Sequence, residues 1–210
     1  MRPRSSLFAL ALLPSLLSCA ARPAVSLAPQ APRALFFSSS STTAAASYGM
    51  SDSNNGELDA KSEQLIADAQ ALFSAKPSEE IFTRWSPDAL FEDPICLAVG
   101  ARQYKAQWYG LAKAFSGSMT RAWRVESVSK EQIKYVQKQW YKVAGFEKEM
   151  ISTVVMKLNK EGKVTHFIDM WNHKAPSTNP VIYALRRLNG MIMPLFVGVP
   201  KAEQQKHKDL

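Results

Sequence analysis

Few side chains in this sequence could do acid–base or nucleophilic work, and most sit beside aromatic or apolar residues. Asp169 lies in the stretch Gly162-Lys163-Val164-Thr165-His166-Phe167-Ile168-Asp169-Met170-Trp171-Asn172. If that stretch is a strand, period two puts Thr165, Phe167, Asp169 and Trp171 on one face and Val164, His166, Ile168 and Met170 on the other. A carboxylate walled by Phe167 and Trp171 loses solvation, and its pKa rises toward the range useful to a general base. The same parity denies Asp169 a same-strand partner in His166. The other reading of Asp169 is a buried acid with its hydrogen bonds satisfied. Asp93 is the second candidate, at the end of Phe91-Glu92-Asp93-Pro94. A turn residue before Pro94 is its preferred reading. Tyr104, Trp108 and Tyr109 could offer a hydroxyl or a ring to a ligand, although a stripe of aromatics at helical spacing is the usual mark of a core. Cys96 stands between apolar residues and reads as a small buried hydrophobe rather than a reactive thiolate.

These residues need elements to position them. Leu65, Ile66, Ala69, Leu72 and Phe73 form one helical stripe, capped by Asp59 or Ser62 and closed by Pro77. Ser78 caps a short second helix whose buried face is Ile81, Phe82 and Trp85. Ser86-Pro87-Asp88 reads as a turn and Ala89–Asp93 as a short strand. Gly100 opens a third helix with Tyr104, Trp108, Leu111, Ala112 and Phe115 on one side. After Gly117 the period becomes two. Ile133, Tyr135, Gln137, Gln139, Tyr141 and Val143 share one face of a strand, and Lys134, Lys138 and Lys142 the other. Glu149–Leu158 and Lys163–Asn172 follow as strands, joined by an Asn159–Gly162 hairpin turn. Helices, then a strand, then a meander make an α+β pattern.

The chain has 210 residues, 46% hydrophobic and 21% charged, with a net charge of +8. That is the composition of a globular domain. Residues 1–50 contain Arg2, Arg4, Arg22 and Arg33 and no acid, so half of the excess charge sits there. The rest is scattered, without a dense basic run, and nucleic acid is not an expected partner. Residues 1–50 read as a cleaved targeting leader and 51–60 as a linker. Arg33-Ala34-Leu35-Phe36-Phe37-Ser38 resembles a mitochondrial processing motif. The apolar Leu7–Leu17 followed by Ser18-Cys19-Ala20 suits a plastid or secretory route instead. The expected destination is the mitochondrion, with a mature start between Phe37 and Met50.

With the elements in order, the strand ending Phe91-Glu92-Asp93-Pro94, the long helix and the closing Gly162–Asn172 strand resemble SnoaL-like domains of the nuclear transport factor two-like superfamily. The closing strand is similar to that family's Gly-Lys-Ile followed by His-x-Asp-x-Trp. The resemblance spans residues 61–174. It implies a cone-shaped curved antiparallel sheet wrapped around a long helix, with an apolar pocket. It implies that Asp169 is the acid–base residue, with Asp93, Tyr104, Trp108, Phe167 and Trp171 around a small hydrophobic ligand. Phe167 stands where active cyclases of the family often carry His, which removes a proton shuttle. The implied function is ligand binding, with isomerase, cyclase or dehydratase chemistry as its catalytic form. The alternative is a non-catalytic interaction or assembly module. No cofactor or metal is implied. A homodimer through the His166, Ile168 and Met170 face is expected. The segment 175–210 is expected to hold a helix from Asn179-Pro180 and an apolar run. That tail either packs on the domain or touches a membrane peripherally through Arg186, Arg187 and the apolar residues.

Overall fold

The computed structural model describes residues 58–200. The leader, most of the linker and the last ten residues fall outside that range, and with them the targeting expectations. Helix α1 (Ala60–Phe73) begins at Asp59, whose Oδ1 accepts from the Ser62 N–H at 2.7 Å. Helix α2 (Glu79–Thr83) is capped by Ser78 as expected. Strand β1 (Trp85–Glu92) follows at once. Ser86-Pro87-Asp88 therefore belongs to a strand and not to a turn, and Trp85 is its first residue. The pairing skips between Trp85 and Leu90, so Pro87 sits in an irregular stretch where no ladder N–H is required. Strand β2 (Leu97–Val99) is a short element that the sequence pattern does not announce.

Helix α3 (Ala101–Ala114) starts after Gly100, whose φ of 79° suits glycine. Four strands follow: β3 (Gly117–Val128), β4 (Gln132–Val143), β5 (Phe146–Leu158) and β6 (Val164–Trp171). Helix α4 (Pro180–Phe196) ends the described chain. The sheet order is β2-β1-β6-β5-β4-β3, antiparallel except for the β1–β6 pair. It is an open, six-stranded α+β sheet with helices, the architecture expected, with one strand more.

The alternation in β4 is as expected: the odd-numbered residues from Ile133 to Val143 are buried and the lysine side is half-buried. In β6 the parity holds from Phe167 onward and fails before it. The β5–β6 register slips between Lys157 and Leu158, leaving Thr165 as an extra residue. Val164 therefore turns into the core with Phe167, whereas strict alternation puts it outside, and Thr165 is half-buried with its hydroxyl on the Lys157 carbonyl. The inner core is aromatic. Phe167 packs against Phe73, Trp85, Phe91 and Trp108 at ring-centroid distances of 6.0, 5.3, 5.9 and 5.6 Å.

Candidate functional site

A cavity of about 70 Å³ lies where α3, the turn after β1 and the inner faces of β4, β5 and β6 converge. Its polar and aromatic lining includes Asp93, Gln107, Trp108, Tyr141, Asp169 and Trp171. Strand alternation delivers Asp169 and Trp171 from β6. Register then sets Ser152 of β5 opposite Trp171. Asp169 is 3% exposed. Trp171 Nε1 donates to its Oδ2 at 2.9 Å, and the Ser152 hydroxyl also supports the carboxyl. Its Oδ1 has no hydrogen-bond partner among the described residues. Burial pushes the Asp169 pKa up to about 7, the negative charge of Asp93 adds to the rise, and the bonds from Ser152 and Trp171 oppose it.

Asp93 is held differently. Its Oδ1 accepts from the backbone N–H of Ile95 at 2.8 Å and of Cys96 at 2.6 Å, so it organises the β1–β2 turn. Burial raises its pKa to about 6 against the pull of those two donors and of Arg186. The turn role read from the sequence is what the geometry shows, and the carboxyl also borders the cavity. The pair thus separates into an Asp93 fixed by backbone donors and an Asp169 with one oxygen unengaged.

Two further lining residues carry buried polar atoms without partners among the described residues: Trp108 Nε1 and Gln107 Nε2. Both are donors. Deeper in the sheet, Tyr135 Oη and both polar atoms of the Gln137 side chain are in the same condition. Burial and then the Asp169 charge push the Tyr135 and Tyr141 hydroxyls well above their usual range. A natural protein rarely leaves so many buried polar groups unmatched, and where it does a water or a ligand usually completes them.

Of the residues expected around a ligand, Asp93, Trp108, Asp169 and Trp171 border this cavity. Tyr104 does not. It is 1% exposed, its hydroxyl donates to the Ser86 carbonyl at 3.3 Å and its ring packs on Trp85 and Phe82. The helix presents Tyr104 one turn before Trp108, toward Phe82 and the start of β1. Phe167 is likewise core rather than wall, because its ring is enclosed by four other aromatics. Sequence reasoning misses Gln107, Tyr141 and Ser152 as site residues. Alternation places Tyr141 on the inner face of its strand, but only strand register could bring it to the site. Cys96 is buried, and burial pushes its thiol far up, so it is not a nucleophile at ordinary pH. Among the described residues no group of His, Cys, Asp and Glu could hold a metal ion.

His166 lies on the opposite face of the sheet. Its Nε2 is 2.8 Å from Glu92 Oε1, and Arg186 donates to Glu92 Oε2 at 2.5 Å. Both partners hold the Glu92 carboxyl below the usual range, His166 more than Arg186. His166 is thus tied into a structural cluster, and the sheet separates it from the cavity.

No family model matches the chain, and no curated protein matches it. Solved structures do. An NTF2-like protein from Anabaena variabilis aligns over 62% of this chain and 100% of its own, at 13% identity and a TM-score of 0.50. A protein of the SnoaL-like family from Agrobacterium tumefaciens covers 54% of this chain and 98% of its own, at 13% identity and a TM-score of 0.45. An NTF2-like protein of unknown function from an Exiguobacterium species covers 51% and 97%, at 19% identity and a TM-score of 0.42. At such identities the likeness concerns the fold.

Proposed function

We propose, for a chain that has the nuclear transport factor two-like fold, that the cavity binds a small carbonyl compound and that Asp169 moves a proton on it. What carries this reading is one observation: Asp169, Trp108 and Gln107 all line one cavity, and each carries a buried polar atom (Oδ1, Nε1 and Nε2) without a partner among the described residues. A carbonyl oxygen would accept from the two N–H donors, and the carbon beside it would present its proton to the carboxylate. A pKa of about 7 leaves Asp169 partly ionised at neutral pH and strong enough as a base to be useful. Donors aimed at the carbonyl would stabilise the enolate as its charge develops. A cavity of about 70 Å³ suits a small ligand, or the reactive end of a larger one.

Proton exchange tests this. Cyclopentanone in heavy water should lose its α-protons faster with the protein than in buffer, by NMR. Asp169→Asn should return the rate to that of buffer with the fold intact. A non-catalytic binding module is the second reading, favoured by the aromatic packing of Phe167 and Trp108, which fills much of the interior. Cyclopentanone that binds, by saturation transfer, without exchange at any pH would select it.

A further inference from the structure

Helix α4 is seated with its polar side inward and its apolar side outward. The inward side carries Arg186, 3% exposed, whose guanidinium donates to Glu92, to the Asp93 carbonyl at 2.9 Å and to the Ser177 carbonyl at 3.2 Å. Asn189 donates to the Ile95 carbonyl at 2.9 Å. Gly190 lies so close to β2 that a Cβ there would meet the Leu97 carbonyl oxygen at 2.1 Å. Turning the helix to bury its apolar stripe would strip Arg186 of every one of these acceptors, so the orientation is built in. The outward stripe is Val181, Leu185, Leu188, Ile192 and Leu195, at spacings of four, three, four and three residues. Leu185 is 57% exposed and Leu195 71%.

The exposed charge that the two helices carry beside this stripe is positive, and the acids nearby, Glu92 and Glu79, are engaged with Arg186 and Lys105. Residues 94–125, which include α3, and residues 170–202, which include α4, contain no Asp or Glu. Arg102, Lys113 and Lys174 are exposed there. Arg187 engages the neutral Gln103 Oε1 at 2.6 Å. No described helix is long and apolar enough to cross a bilayer. We infer that α4 is an interfacial helix that rests the domain on an anionic lipid surface, its apolar stripe among the acyl chains and Arg102, Arg187 and Lys174 toward the headgroups. In an ordinary interfacial helix the polar side faces water; here the domain itself receives it. A second copy is the poorer occupant. Two-fold pairing through α4 would bring the same cations of both copies together, with no acid in either stretch to oppose them.

The test uses the full chain with Cys19→Ser and Leu188→Cys, labelled at the new thiol with a polarity-sensitive dye; Cys96 is buried and unreactive. Vesicles of phosphatidylcholine with phosphatidylglycerol should shift the emission to the blue. Phosphatidylcholine alone should not, and added salt should weaken the shift. Leu185→Glu with Leu195→Glu in the same labelled chain should abolish it and leave the melting temperature unchanged, since both side chains are exposed. Because the dye reports on α4 alone, binding through the N-terminal leader gives no shift. Unchanged emission with anionic vesicles would overturn the inference. So would a dimer by light scattering, blue-shifted before lipid is added, that Leu185→Glu converts to a monomer.

Discussion

Asp169 is where this domain gives up stability. An ordinary aspartate titrates at 3.8, whereas this one titrates at about 7 because the folded chain buries it. Between those values the native state holds a proton that the unfolded chain has released. The contribution of the site is therefore full below about pH 4 and is lost as pH rises through about 7. Each pH unit between the two values corresponds to about 1.4 kcal/mol, so the loss is on the order of a few kcal/mol. Asp93, raised to about 6, acts in the same direction. Asp169→Asn has no charge to bury. It should match the wild type in urea midpoint below about pH 4, exceed it increasingly as pH rises, and exceed it most near about pH 8. Equal midpoints across that range would mean that the carboxyl is compensated in the native state. An active-site base would combine this gain in stability with a loss of proton exchange, a pairing that a merely structural aspartate would not give.

Among the elements, α4 is held by charge more than by apolar burial. Its one buried apolar side chain, Met193, packs with Ala106 and with Val197 just beyond the helix. Glu92→Ala leaves the Arg186 guanidinium buried without its counter-ion, and should cost about 3 kcal/mol. Arg186→Met should cost less, because Glu92 keeps His166 and is reached by water. Chemical denaturation of the two variants gives the order directly, and the reverse order would show that Arg186 acts through its other acceptors. None of this cluster is legible in the sequence, because Arg186 and Glu92 are 94 residues apart and neither carries a local signal. What is legible follows from local rules. The Ser78 cap, the third helix and the two faces of β4 depend on neighbours within a few positions. Asp169 and Trp171 fall where alternation puts them because alternation holds from Phe167 onward. Val164 does not, because a bulge is a property of two paired strands, and one strand cannot show it. Strand β2, three residues long, is too short to display a period, and Pro87 conceals the start of β1.

At the scale of the molecule, the expected homodimer face is partly occupied by the chain itself. His166 is engaged by Glu92, and His173 Nδ1 comes within 2.7 Å of Thr153 Oγ1 on the outer side of the sheet. Ile168 and Met170 are half-buried there. We keep assembly through this face as an expectation. Ile168→Glu should convert a dimer to a monomer with little change in melting temperature, by light scattering and calorimetry. A monomeric wild type would dismiss it.

The parallel β1–β6 pair has a consequence for how the chain comes to be folded. Glu92 and His166 meet across it from positions 74 residues apart, and Arg186 reaches the Asp93 carbonyl from 93 residues away. Such non-local pairing makes folding slow. A chain that emerges amino end first from a ribosome carries the β1–β2 pair while about a third of its length is still to be made before β6 can join it. The apolar strands stay open until β6 arrives, and the β2 edge until α4 arrives last. This protein should therefore depend on chaperones during synthesis more than its modest size suggests.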